Sequence, residues 1–205
     1  MRATGMLRLA VLPLLVIALV TPTSSAAAAS TAVSPPTQRN LLCEVSVQRL
    51  SAMWDGLEAW AEGAQQSGDA VADAMREVIG SADPSDAEVL AMQQETAGYY
   101  LTGMRDFRSS DMAADLREIT RLSGQIRSSV PARYHAFVKA RVAKIRSLYT
   151  EYWQTQFAPT YIRGLQALTS ANPEGWTRAT EPLPAKVPLA RADFARAFRG
   201  LPKIC

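Results

Sequence analysis

The segment YHAFVKARVAKIRSLYTEYW, residues 134–153, concentrates the side chains of this chain that are best suited to chemistry. It contains the only histidine, His135, together with five aromatic residues and four Lys or Arg residues. A histidine can bind a metal ion or act as a general base, aromatic and basic groups together can bind nucleic acid, and a basic amphipathic helix can bind a membrane. The placement of these side chains around a helix decides among these chemistries.

Arg141 is the basic residue of this segment that falls beside the apolar stripe of the predicted helix, next to Phe137 and Leu148. The stripe consists of Tyr134, Val138, Val142, Ile145, Tyr149 and Tyr152. A guanidinium among such neighbours needs a charged partner or an outlet to water, and aromatic faces can stabilise it. We expect an ion pair with a carboxylate of the N-terminal half. The candidates are Glu58, Glu62 and Asp115. The alternative is a small anionic ligand, bound between helices by Arg141, Tyr149 and Tyr152.

The sequence gives little indication of a metal site or a catalytic nucleophile. It contains one histidine and two cysteines, and it has no EF-hand loop, no nucleophile elbow and no Gly-rich phosphate loop. Tyr99, Tyr100, Met104 and His135 are haem ligands in type, although such residues at helical spacing usually fill a core. We therefore expect no metal, no cofactor and no catalytic constellation, with His135 at the edge of its helix.

The remaining basic residues of the segment, with Arg133 just before it, form two separate seams, Lys139 with Arg146 and Arg133 with Lys144. Between the seams, opposite the apolar stripe, lies a face of small uncharged residues: Ala136, Ala140, Ala143, Ser147, Thr150 and Gln154. An interfacial membrane helix has a strongly polar face, and a nucleic-acid site gathers its basic residues on one surface. We therefore expect no nucleic acid and no membrane insertion. The small-residue face of residues 136–154 should pack on another helix of the chain or on a second copy, forming a homo-oligomer.

The N-terminus has the layout of a secretory signal peptide. Arg2 and Arg8 accompany an apolar run from Leu9 to Val20, and small residues follow up to Ala29. The apolar run would make about 18 Å of helix, which is too short for a hydrocarbon core of roughly 30 Å. The pattern predicts a signal peptide at residues 1–29, a disordered leader at 30–37, and export to the extracellular or cell-envelope space.

Cys43 and Cys205 fit an exported protein, because two cysteines in an oxidising compartment most simply form one disulfide. The bond would close a loop spanning nearly the whole mature chain. The chain-entropy model predicts that such a bond stabilises the fold by roughly 4–5 kcal/mol. Acidic residues dominate positions 30–129 and basic residues dominate positions 130–205. We expect these two halves to attract each other within one fold.

Helical periodicity extends over most of the mature chain. A seam of alternating four- and three-residue steps predicts a helix over 38–79, either unbroken or divided near Gly68. Its members are Cys43, Val47, Leu50, Trp54, Leu57, Ala61 and Ala64. Gly80 and Pro84 mark a stop and a start, and Ser109 or Ser110 could cap a further start. Pro131 begins a third helix, over 131–157, which Pro159 should kink or end.

The C-terminal segment differs in composition, since TEPLPAKVPLA contains three closely spaced prolines. We expect an extended strap here, followed by a short helix over Leu189–Arg199 with Phe194 and Phe198 on one face. The predicted fold is an all-α, antiparallel bundle of three to five helices in residues 38–172. Residues 173–205 should form the strap and the short helix, tied back by the disulfide.

These features predict a secreted helical bundle with a non-catalytic binding or interaction role, its partner being an unidentified protein or envelope component. A secreted all-helical enzyme or small anionic-ligand binder, with a pocket around Arg141, is the alternative. A membrane-active protein is the further alternative.

Overall fold

Helix α1 runs unbroken from Pro35 to Val78 in the computed structural model, which describes residues 35–205. A division near Gly68 is therefore wrong, and the helix begins inside the predicted leader. Proline suits this start because the first N–H groups of a helix have no partner within it. The seam faces the core as predicted: Cys43, Val47, Leu50, Trp54, Leu57 and Ala61 are all buried. The predicted signal peptide, residues 1–29, lies outside the described residues.

The second helical run contains α2, Pro84–Asp106, and α3, Met112–Ser129, joined by a π-helical segment, Phe107–Asp111. Asp83 caps α2 as its sequence position suggests, since its carboxylate accepts the Ser85 N–H at 2.9 Å. The predicted fresh start at Ser109 or Ser110 is wrong. The Ser110 hydroxyl instead donates to the Asp106 carbonyl at 2.7 Å, so it bonds back into the continuous run.

The third run begins after Pro131, as predicted, with a short turn at Ala132–Tyr134. Helix α4 spans His135–Leu148, a π-helical segment spans Tyr149–Phe157, and α5 spans Ala158–Thr169. Pro159 does not end this run, because the hydrogen-bond register has already shifted before it. The Ala158 N–H bonds to the Trp153 carbonyl, five residues back, and Pro159 then occupies the first turn of α5.

The expected extended strap is wrong, because residues 173–198 are almost entirely helical. Helix α6 spans Pro173–Thr180 and α7 spans Leu183–Phe198. Pro173 and Pro184 lie in first turns, where a missing N–H costs no intrahelical bond. Pro188 is the one proline beyond the first turn of α7. The predicted end of this helix is confirmed, since Gly200 follows it with a φ of 91°, in the left-handed region that glycine favours.

The helices form an all-α bundle, and the described residues contain no strand. Helix α1 packs against α2, α3 and α6, while α2 packs on α5, α3 on α4, and α4 on α7. The predicted Cys43–Cys205 disulfide is formed, with Cα atoms 5.5 Å apart, and ties the C-terminus to α1. Over residues 35–205, every helix is too short or too polar to cross a membrane.

Candidate functional site

Arg141 bonds to a backbone carbonyl rather than to a carboxylate. Its Nη1 donates to the Arg196 carbonyl oxygen at 3.0 Å, and its Cζ lies 5.2 Å from the centroid of the Phe137 ring. The expected ion pair with Glu58, Glu62 or Asp115 is wrong, because none of the ion pairs among the described residues includes Arg141. The last turn of α7 supplies the partner instead, where unpaired carbonyls and the helix dipole favour a cation.

The two tyrosines predicted beside Arg141 face different neighbours. Tyr149 is fully buried, edge-on to Trp54 with ring centroids 5.6 Å apart. Burial raises the pKa of its hydroxyl well above the ordinary range, and the Asp115 carboxylate adds to this. Tyr152 is half-buried and donates to Asp193 Oδ2 at 3.0 Å. Arg141 and Tyr152 therefore meet the end of α7, whereas Tyr149 packs on α1. A ligand held by all three stays a prediction.

His135 lies at the edge of its helix, half-buried, with Nε2 3.2 Å from the Val130 carbonyl oxygen. No cluster of His, Cys, Asp and Glu able to hold a metal ion occurs within residues 35–205. The small-residue face of α4 is largely exposed, with Ala136, Ala140, Ala143, Ser147 and Thr150 all open to solvent. Packing of this face on another helix of the described chain is therefore wrong. Its use by a second copy stays a prediction.

A concave groove lies between α1 and α7, and sequence reasoning did not identify it. Its volume is about 480 Å³, which lies in the range of ligand-binding clefts. Helix α1 contributes three carboxylates to its lining, and α7 contributes one guanidinium and two aromatic rings. These six residues are Asp55, Glu58, Glu62, Arg191, Phe194 and Phe198.

The floor of the groove is a stack of aromatic rings. Phe194 lies nearly parallel to Trp54, with centroids 4.4 Å apart and an interplanar angle of 12°. Phe198, one turn further along α7, stacks on Phe194 at 5.4 Å. Trp54 and Phe194 are buried and Phe198 is half-buried, so the floor presents mainly the outer ring to a ligand. The stack also sets the distance between α1 and α7.

Glu58 is the chemically unusual member of the groove, because its side chain is only 8% exposed. Its Oε1 accepts the indole N–H of Trp54 at 2.7 Å, and its Oε2 accepts the Nε–H of Arg191 at 2.6 Å and lies 2.6 Å from Nη2. Burial of a carboxylate is expensive unless the charge is paired and hydrogen-bonded. The two partners together satisfy this requirement. The hydrogen bond from Arg191 also raises the pKa of that guanidinium above its ordinary value.

The groove carries an excess of negative charge. Asp55 and Glu62 are exposed on either side of Glu58 along α1, and Arg191 is the one basic residue in the lining. The three carboxylates span about 10 Å of helix. A concave surface with one sign of charge attracts ligands of the opposite sign.

A second cavity, beside Tyr152 and Trp153, measures about 20 Å³ and has an almost entirely apolar lining that includes Leu183, Val187 and Ala190. This is room for about one water molecule. It is therefore too small to bind a ligand, and the α1–α7 groove is the better candidate.

Comparison of the chain with protein-family models, with curated proteins and with solved structures gives no match. The groove must therefore be interpreted from its own chemistry. Only a weak signal of it exists in the sequence, namely the acidic steps from Asp55 to Glu58 and from Glu58 to Glu62, which place three carboxylates on one side of a helix. Such a stripe is indistinguishable from a solvated surface until α7 is docked beside it.

Proposed function

We propose that this chain is a non-catalytic binding protein of the extracellular or cell-envelope space, and that the α1–α7 groove binds a basic segment of a partner protein. The single observation that carries this proposal is Glu58, a buried carboxylate that lines an open groove. The export of the protein rests on the pattern of residues 1–29.

The chemistry of the groove favours a Lys or Arg side chain. Such a side chain has an apolar stem, which can lie on Phe198, and a cationic head, which can reach the carboxylates. Catalysis is not favoured, because the lining includes no histidine and no cysteine. The hydroxyl of its serine, Ser51, donates to Asp55 Oδ2 at 3.5 Å, and an exposed carboxylate is too weak a base to activate that hydroxyl.

The length of the groove favours a peptide over a small amine. The lining residues of α1 extend from Ser51 to Glu62, which corresponds to about 16 Å of helix. An extended peptide covers this length with about five residues, and its alternate side chains project on one face roughly 7 Å apart. Two basic residues at alternate positions would therefore reach two of the three carboxylates of α1, which together span about 10 Å.

The test uses a fluorescent synthetic peptide with arginine at alternate positions and measures its binding to the mature protein by anisotropy. We expect binding that weakens as salt is added, and a loss of about tenfold in the double variant Asp55→Asn/Glu62→Gln, since two exposed ion pairs together are worth about 1.4 kcal/mol. The control is Glu77→Gln/Glu88→Gln, which removes the same charge from exposed positions outside the groove. Equal losses in both double variants would indicate non-specific attraction and would overturn the proposal.

A further inference from the structure

Arg191 and Glu58 form an asymmetric pair. The Arg191 side chain is 67% exposed, whereas the Glu58 side chain is 8% exposed. Trp54 occupies one carboxylate oxygen of Glu58, and the guanidinium occupies the other. The second oxygen of the buried carboxylate is thus already bound to a cation of the kind that the groove attracts.

We propose that Arg191 is an internal stand-in for the partner's basic side chain, and that binding displaces its guanidinium from Glu58. This inference rests on the proposed function of the groove. It identifies Arg191 as the residue that sets the affinity and selectivity of the site, because every ligand must compete with it.

The energetics of the exchange favour a cationic competitor. The Arg191 guanidinium returns to water at little cost, because its side chain is already largely solvated. Glu58, by contrast, is costly to leave buried without a cation. A neutral ligand would have to strip Glu58 of its partner, whereas a Lys or Arg side chain replaces that partner. The pair therefore rejects neutral ligands.

The exchange requires movement of one side chain only. Phe194 anchors α7 on Trp54, and the Cys43–Cys205 disulfide ties the end of the chain to α1. The Arg191 side chain is already mostly exposed, so a displaced guanidinium can be hydrated without moving its helix. The helix that carries Arg191 can stay in place while its side chain leaves.

The test compares Arg191→Gln with Arg196→Gln, using the same arginine peptide and anisotropy measurement. Both residues are exposed arginines of α7 that pair with a carboxylate, and Arg196 does not line the groove. Removal of the competitor should raise the affinity about tenfold in Arg191→Gln if Arg191 occupies Glu58 for about nine-tenths of the time. Arg196→Gln, which changes the net charge equally, should raise it much less. Arg191→Lys should restore an affinity close to that of the unmodified protein.

The outcomes separate the two proposals. Groove-dependent binding that weakens or stays constant in Arg191→Gln would overturn the stand-in role and leave the binding function intact. Equal gains in Arg191→Gln and Arg196→Gln would also overturn it, since net charge would then explain the effect. Absence of binding in the unmodified protein together with binding by Arg191→Gln would support both. Absence of binding in both proteins would overturn both.

Discussion

Two buried tryptophans, Trp54 within α1 and Trp176 in α6, donate to carboxylates of α1 with opposite consequences. The indole N–H of Trp176 donates to Asp69, and that of Trp54 donates to Glu58, each at 2.7 Å. Both rings are about 1% exposed. Around Trp176 the helices close completely, whereas beside Trp54 they leave the groove. The residues packed against each indole ring therefore decide whether the neighbouring helix lies close to α1 or leaves a groove beside it.

At the Trp176 end, glycine permits close contact between helices. A Cβ atom built at Gly68 would lie 2.1 Å from the Trp176 ring, and one built at Gly164 would lie 2.7 Å from it. The indole is therefore inserted between the backbones of α1 and α5. Tyr161 meets the ring edge-on at 5.0 Å, and its hydroxyl donates to the Ala64 carbonyl. No space for a ligand is expected where a ring fits this closely.

At the Trp54 end, aromatic rings act as spacers. Phe194 separates α7 from α1 by a full ring stack, and the edges of Tyr149 and Trp153 occupy other sides of Trp54. The Tyr149 hydroxyl and the Trp153 indole N–H have no hydrogen-bond partner among the described atoms. The Trp176 end has one such atom, Gln65 Oε1, whose amide N–H groups donate to Asp69 and Thr180.

Removal of the disulfide should produce the largest effect and should act mainly on the Trp54 end. Cys43→Ala/Cys205→Ala should lower the free energy of unfolding by about 2–5 kcal/mol, since the bond closes a very long loop. Denaturant unfolding measures this. Hydrogen exchange should show a greater loss of protection in α7 than in α5 and α6, because only α7 depends on the tether. A uniform loss across all three helices would contradict the comparison.

Gly68→Ala should be the next largest change and should act on the Trp176 end. The added methyl group meets a rigid buried ring, so the free energy of unfolding should fall by about 3 kcal/mol, near the top of the usual range for overpacking. Gly63→Ala is the matched control in the same helix, with nothing within 4 Å of its Cβ. It should stabilise the protein by about 0.5–1 kcal/mol, through helix propensity alone. Thermal unfolding of both variants checks the pair.

These two ends also show what the sequence could and could not predict. The seam of α1 and the disulfide follow from local spacing and composition, and both predictions are confirmed. Gly68 suggested a helix break because glycine is a poor helix former. Its actual role depends on Trp176, which lies far along the chain, and no local pattern encodes that contact.

The C-terminal error and the missed groove have the same origin. Three prolines suggested an extended strap, but Pro182 and Pro184 lie at the start of α7, and only Pro188 lies in its interior. The groove requires Glu58 and Arg191 to meet across 133 residues. Periodicity places each residue on a face of its own helix, and only tertiary packing decides which faces meet. Arg141 illustrates the same point, since its partner is a backbone carbonyl, which carries no side-chain pattern.

Removal of the carboxylate that accepts each indole N–H should cost more stability at Trp54 than at Trp176. Glu58→Ala should lower the free energy of unfolding by about 2 kcal/mol, because the Trp54 N–H then stays buried without an acceptor. Asp69→Ala should cost less than about 1 kcal/mol, since Asp69 is exposed and water can replace it. Denaturant unfolding at neutral pH measures both. Equal costs would show that burial does not distinguish the two ends.

The smallest expected effect is a pH-dependent one, from Asp115, whose carboxylate acts on the Tyr149 hydroxyl at the Trp54 end. Burial raises the pKa of Asp115 above its ordinary value of 3.8, with Asp111 and Glu118 adding to the rise and Arg49 opposing it. Asp115 therefore binds its proton more tightly in the folded protein than in the unfolded chain. Folding loses stability as the pH rises from 3.8 through the raised pKa, and the loss is complete above it.

Asp115→Asn should accordingly raise the melting temperature at neutral pH, and this gain should fade as the pH falls below the ordinary pKa. The control is Asp83→Asn, because hydrogen bonds from Ser85 lower the pKa of Asp83. Its stabilisation is present above the ordinary pKa and is lost as the pH falls through the lowered one. The two variants should therefore shift the melting temperature in opposite directions at neutral pH. A shared direction would mean that these carboxylates respond to net charge rather than to their surroundings, and the buried Trp54 end would then impose no cost on nearby charges.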